Sequence, residues 1–263
     1  YSDIKVTNVQ TGYTREIDNT NDESSDEEKA IQTRTGKIVS KSSKFVDRNN
    51  GYHWYLGNQS IGEGIFIHLQ PKDESGNPID TQSMFDSQDP QFISWMDFHK
   101  KISEIIDNRL QSTALKQHER DQLEKTKMQT HPLFIWWHSF VHQIISELAI
   151  DSGFTTTALN ERVYCLKNND GSYSAGVLIY VSTPGSDGTL GGLTSLVNDS
   201  VIPKIVTNAE NHMKTCSNDP VCSEREFNKT RIRGAACHCC LMSPETSCAY
   251  QNKFLDRNLF GVR

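Results

Sequence analysis

Six of the seven cysteines fall between Cys216 and Cys248: Cys216, Cys222, Cys237, Cys239, Cys240 and Cys248, with only Cys165 elsewhere. Cysteines placed for packing would be dispersed along the chain. Cys237-x-x-Cys240 has the spacing with which a tight turn brings two thiolates onto one ion, and zinc takes four such ligands at about 2.3 Å in a tetrahedron. The expected set is Cys222, Cys237, Cys240 and Cys248, with Cys216 as the alternative to Cys222. A closed four-thiolate site is structural, and its binding energy is folding energy for the C-terminal lobe. Two rival readings are a disulfide cluster and a redox pair. A chain of 263 residues builds a core without staples, and a redox pair stands alone at a helix start. His238 lies among the thiols as a substitute ligand or, more simply, as a solvated loop histidine.

The rest of the composition is that of a globular chain with a polar lean: 35% hydrophobic, 23% charged, net charge −6. The acidic balance argues against a chain that coats nucleic acid by itself. No apolar run has the length of a membrane span; the best candidate, 133–150, is interrupted by His138, His142, Gln143 and Glu147. No signal peptide is visible, the chain opens on Tyr1 rather than Met, and a cytoplasmic setting is expected.

The pattern predicts a mixed α/β fold, a sheet flanked by helices, with a C-terminal zinc lobe. Residues 1–130 read as a strand-rich and helical region, and 131–263 as the zinc-binding domain. Strands are expected near 1–15, 37–39, 52–56, 64–69, 163 onward and 175–181, the last the clearest buried one. Five acids between Asp22 and Glu28 mark a surface loop. Helices are expected from Gln91 towards Gln129, exposed or broken in the second half, then over 133–150, 154–159, 193–213 with a break at Pro203, and 247–260. Asn169-Asp170-Gly171 is a hairpin turn.

His138 and His142, four apart, share one face of the most apolar helix. They read as two buried, hydrogen-bonded histidines or as half of a second metal site. Ser139 stands where a zinc protease would carry glutamate. With Glu161 and Glu63, they form the catalytic candidate of a nuclease or hydrolase reading. The loop before the helix at 193 contains Gly188, Thr189, Gly191 and Gly192. It is either a backbone cradle for phosphate or tight strand-to-helix packing; lacking Gly-Lys-Ser/Thr, it is no ATP loop. Lys229, Arg231 and Arg233 are candidate phosphate contacts or a solvated face.

Several stretches together resemble the C-terminal part of the DrmB family of DISARM anti-phage systems, which contains the MrfA-type zinc-binding domain. The likeness rests on His138-x-x-x-His142, Glu161-Arg162-x-Tyr164, and 178–180 with Gly188-Thr-Leu-Gly-Gly-Leu193. It is strongest at Cys216–Cys222, Gly234-Ala-Ala-Cys237-His-x-Cys240, Pro244–Cys248 and Asn252-x-x-Leu255-Asp256-Arg257. It covers about residues 131–260 well and the first 130 in patches. It implies Cys237, Cys240 and Cys248 as zinc positions, with Cys239 a departure. It also implies a superfamily 2 helicase partner of the DrmA type, and DNA reached through that complex. Three functions follow as expectations: a non-catalytic zinc-stabilised helicase accessory subunit, the nuclease or hydrolase, and a scaffold without nucleic-acid contact.

Overall fold

The computed structural model describes residues 4–10, 56–69, 73–77, 80–85, 87–181, 192–198, 201–225, 232–244 and 247–260. The acidic run 22–28, the strand at 37–39 and residues 52–55 lie outside them. The fold is mixed α/β. Among the described residues its four strands are β1 (Ile4–Gln10), β2 (Leu56–His68), β3 (Leu159–Lys167) and β4 (Tyr173–Val181), hydrogen-bonded in the order β1-β2-β4-β3. The helices are α1 (Pro90–Leu110), α2 (Gln117–Gln129), α3 (Pro132–Ser152), α4 (Gly192–Asn198) and α5 (Ile202–Met213). Two compact units emerge: Lys5–Ile61, and Gly62–Arg263 with Tyr1–Ile4. The division expected at 130/131 falls inside the larger unit, in the link between α2 and α3.

Local chemistry sets the helix ends. Asp89 caps α1 by accepting the N–H of Phe92 at 2.8 Å, and Pro90 occupies its first turn. The polar stretch after Leu110 breaks the helix, and α2 restarts where Glu119 accepts the N–H of Lys116 at 2.8 Å. At α3, His131 Nδ1 accepts the N–H of Leu133 at 3.2 Å, Pro132 follows, and Gly153 closes the helix at a left-handed φ of 73°. Apolar on nearly every side, α3 is the core element. Leu133, Trp137, Val141, Ile144 and Leu148 are fully buried and pack in one cluster with Val177 and Ile179 of β4.

β4 pairs antiparallel with β3, Glu161 opposite Ile179, and with β2, Phe66 opposite Leu178. Gly176 lies where a Cβ would stand 2.8 Å from the Phe66 ring and 2.9 Å from Ile67 O, so only glycine fits. In β3 the inward positions are Leu159, Glu161, Val163 and Cys165. Glu161 is therefore turned into the core by strand alternation.

Two expected helices are absent. Residues 154–159 form a turn into β3. Of the expected helix 247–260, only Arg257–Phe260 is helical, as a 3-10 turn. Gln251, Asn252 and Phe254 have left-handed φ of 56°, 54° and 56°, which an α-helix does not accommodate. The segment runs beside 232–235 instead. Phe254 N–H bonds to Ile232 O at 2.8 Å, Gly234 N–H to Leu255 O at 2.9 Å, and Arg257 N–H to Ala235 O at 3.1 Å. The expected break near Pro203 separates α4 from α5.

The buried Asp256 carboxylate locks this segment down. Trp95 Nε1 donates to it at 2.7 Å, Ala235 N–H at 3.1 Å and Asn258 N–H at 3.0 Å, and Gln91 Nε2 donates as well. Its own N–H donates to Ser139 Oγ of α3 at 2.8 Å. A Cβ at Gly234 would overlap the carboxylate. Asp256→Ala strips four donors of their acceptor, and urea unfolding should register a loss of about 3 kcal/mol or more. A change below about 0.5 kcal/mol, within the scatter of ordinary surface substitutions, would contradict this account.

The cap of α3 generates a pH dependence. Burial, then the neighbouring His99 and Lys167, lowers the pKa of His131 to about 3 from an ordinary 6.5. A depressed histidine binds its proton only in the unfolded chain over that window, so its stabilising contribution is complete above 6.5 and is lost as pH falls from 6.5 towards 3. His131→Asn keeps a capping acceptor without the titration. Its unfolding free energy should decline less steeply than that of wild type between pH 6.5 and 4.

Candidate metal centre

Two groups of ligand-type side chains occur among the described residues, the first partly buried and the second fully. The first is Cys216, Cys222, Cys237 and Cys240, and the second His138, His142, Glu161 and Cys248; within each, the ligand atoms all lie within 4.8 Å of one another.

In the first group, the turn after Ala236 presents Cys237 and Cys240, with Cys240 N–H bonded to Cys237 O at 3.1 Å. The turn following α5 presents Cys216 and Cys222. Sγ to Sγ separations are 3.5 Å for Cys216 and Cys237, and 3.7 Å for both Cys222 with Cys240 and Cys237 with Cys240. A tetrahedron with bonds of about 2.3 Å has sulfur–sulfur edges of about 3.8 Å. A disulfide needs about 2.05 Å, and all seven cysteines are free. The four thiols therefore fit a tetrathiolate ion site.

Its electrostatics point the same way. Burial and the adjoining Cys237 push Cys222 up to about 11. Against its own burial, Cys237 is brought down to about 7 by the Cys239 N–H and by hydrogen bonds from the surrounding thiols. Thiols this close do not all ionise without a cation among them. Backbone donors add to this: Asn218 N–H reaches Cys216 Sγ at 3.4 Å and Cys237 N–H reaches Cys240 Sγ at 3.3 Å. Arg257, 4% exposed, hydrogen-bonds Cys222 and pairs with Asp219, placing a buried positive charge beside the thiolates.

Cys248 does not join them. The expected set is split: Cys216 stands beside Cys222, Cys237 and Cys240, and Cys248 lies 3.3 Å from His138 Nε2 in the second group. The left-handed turn at 251–254 produces this. It folds the N–H groups of Tyr250 and Asn252 back onto Cys248 Sγ, at 3.4 and 3.2 Å, and aims the sulfur at α3. Cys239 and His238 are exposed.

The second group is sealed, with His138 0%, His142 1%, Glu161 1% and Cys248 4% exposed. His138 Nε2 lies 2.9 Å and His142 Nε2 3.2 Å from Glu161 Oε1, and the two Nε2 atoms are 3.1 Å apart. Burial alone would raise Glu161 and lower the histidines. The mutual attraction wins, holding Glu161 below the usual carboxylate range and raising both histidines. Glu63, the fourth catalytic candidate, is elsewhere. Its carboxylate accepts the N–H of Leu193 and of Thr194, each at 3.2 Å, at the start of α4.

That placement bears on the phosphate cradle. The N–H groups opening α4 already face an anion, Glu63, and Gly192 packs against the Phe154 ring. Gly188, Thr189, Gly191, Lys229 and Arg231 lie outside the described residues. Arg233 is half-buried, its guanidinium 3.2 Å from Met242 Sδ. Sequence reasoning gave no part to Asp256 or Arg257 beyond their place in the resemblance. The available signal for Cys216 was the pairing of two cysteine pairs, Cys216 with Cys222 and Cys237 with Cys240, ahead of the proline at 244.

Residues 140–241 match the family described as MrfA Zn-binding domain, and the chain contains a zinc-binding domain of that type. The matched stretch holds all four cysteines of the first group. Over 128 residues, 48% of this chain, it is 36% identical to "DISARM protein DrmB" of Bacillus paralicheniformis, and it spans 22% of that relative's length. No helix among the described residues is long and apolar enough to cross a membrane.

If the first group holds zinc, Cys216→Ser should release one ion per chain, measured by elemental analysis after gel filtration. Arg257→Gln should keep the ion but weaken its retention about 10- to 100-fold in a chelator competition. Full zinc retention by Cys216→Ser would return the fourth position to another residue.

Proposed function

We propose that this chain is a zinc-stabilised, non-catalytic accessory part of a DISARM-type anti-phage assembly, joined to a superfamily 2 DNA helicase and reaching DNA through that complex. The observation that carries the reading is the tetrathiolate geometry of Cys216, Cys222, Cys237 and Cys240, inside a stretch matched to a zinc-binding domain. Four protein ligands leave zinc no open position for water or substrate, so the ion would act by holding the lobe together. The likeness to a DISARM protein DrmB supports the setting.

The non-catalytic reading draws support from the other candidate residues. His138, His142 and Glu161 are sealed from solvent, and both histidines are tied to backbone carbonyls, Phe254 O at 3.1 Å and Leu241 O at 2.6 Å. A general acid or base must reach the proton it transfers, and the burial of these atoms among the described residues favours a structural role over that one. Contact with DNA would run through the backbone of the loop at 188–192 and through Lys229, Arg231 and Arg233. It would be largely independent of sequence and weaken steeply with salt.

The test is reconstitution with the partner helicase. Replacing Lys229, Arg231 and Arg233 together by alanine should leave helicase binding intact and lower the affinity of the complex for DNA. The slope of log K against log[salt] should become shallower by about 2 to 3. Unchanged affinity and slope, with the helicase still bound, would favour a scaffold that never touches nucleic acid. Metal-dependent cleavage of DNA by the chain alone, abolished by Glu161→Gln, would favour the nuclease.

A further inference from the structure

We propose that His138, His142, Glu161 and Cys248 form a second, structural zinc site, separate from the four-cysteine site. A backbone carbonyl only accepts, so His138 Nδ1, 3.1 Å from Phe254 O, and His142 Nδ1, 2.6 Å from Leu241 O, each carry the ring proton. With an ion in place of the Nε2 protons, each ring would present the lone pair of Nε2 to the centre. A backbone carbonyl bonded to the far nitrogen is the usual support of a metal-bound histidine.

The remaining atoms facing that centre are also acceptors. Cys248 Sγ already receives two backbone N–H groups, from Tyr250 and Asn252. Glu161 contributes a carboxylate. Its Oε2 stands 3.2 Å from His142 Nε2 but makes no hydrogen bond of acceptable geometry among the described residues. Two imidazole lone pairs, a carboxylate and a sulfur thus converge in a region closed to water. Such a convergence is held together either by protons on the two histidines or by a cation at its middle, and the cation is the reading proposed here.

The dimensions suit zinc. With bonds of about 2.0–2.1 Å to nitrogen or oxygen and about 2.3 Å to sulfur, tetrahedral edges are about 3.3 Å between nitrogen and oxygen ligands and about 3.6 Å to sulfur. The corresponding separations are 3.1 Å between the histidines, 2.9 and 3.2 Å from them to Glu161, and 3.3 Å from His138 to Cys248. Relaxation of a few tenths of an ångström accommodates the ion. Imidazole with one thiolate and one carboxylate is a borderline donor set, suited to zinc rather than to calcium or magnesium. The matched zinc-binding stretch, 140–241, holds all four cysteines of the first group, and of the second group it holds His142 and Glu161 but not His138 or Cys248. With four protein ligands the site is closed. It joins α3, β3 and the C-terminal segment.

The site does not depend on the accessory reading, and its test separates the two. Zinc per chain is measured in the purified protein and in Cys248→Ser, Glu161→Gln and Cys222→Ser. Cys248→Ser and Glu161→Gln should each lose one ion and keep the ion that Cys222→Ser loses. Cobalt(II) loaded into Cys222→Ser should retain a tetrahedral spectrum with the charge-transfer intensity of a single thiolate. Should a variant fail to fold, zinc-edge X-ray absorption of the wild type decides. Two ions per chain require an average shell of five sulfurs to three nitrogen or oxygen atoms, the composition of the two groups combined. A purely sulfur shell, or full metal retention by folded Cys248→Ser and Glu161→Gln, overturns the second site and leaves the first standing.

Discussion

The buried carboxylate of Asp256 is the constraint on which the larger unit turns. A carboxyl group with no exposure is tolerable only where hydrogen-bond partners surround it, and its donors come from segments far apart in sequence: Gln91 and Trp95 of α1, Ala235 before the Cys237 turn, and Asn258. Its backbone N–H adds Ser139 of α3. Satisfying one side chain therefore fixes where the C-terminal segment crosses the core helix. With that crossing fixed, Phe254 O meets His138, and the turn carrying Cys248 faces α3. Gly234 is part of the same arrangement, because any side chain there would occupy the carboxylate's space.

The same crossing explains how so apolar a helix carries a polar stripe. His138, Ser139 and His142 are buried on α3 and would be costly in a purely hydrophobic surrounding. Each has a partner from elsewhere in the chain: Phe254 O for His138, the Asp256 N–H for Ser139, Leu241 O for His142. The C-terminal segment and the Cys237 turn thus complete the hydrogen bonding of a helix that the sheet alone could not satisfy. Packing of Val177 and Ile179 against the helix supplies the apolar side of that contact.

Legibility in the sequence followed the range of the interaction. Helix α3, the hairpin of β3 and β4, and the break between α4 and α5 are set by local periodicity, caps and turn residues, and they were readable. So was the concentration of thiols. The partition of those thiols was not, because Cys240 and Cys248 are close in sequence and only the fold places Cys248 beside His138 of α3. Apolar residues at helical spacing suggested a helix over 247–260, whereas the backbone hydrogen bonds run to 232–235. Glu161 was half visible. Strand alternation puts it on the inward face with Val163 and Cys165, but only the fold shows that His138 and His142 wait opposite.

The two groups also differ in the length of chain each must close. Cys216 and Cys237 are 21 residues apart and Cys222 and Cys240 are 18, whereas His138 and Cys248 are 110 apart. Loop-closure entropy makes the longer loop costlier by about 1.5 kcal/mol. The four cysteines come together from a single short stretch of polypeptide. The His138 cluster exists only once helix, sheet and C-terminal segment have all arrived. One cluster is thus a local knot that a partly folded chain is able to tie, and the other is a seal set last, whose integrity reports that the whole unit has closed.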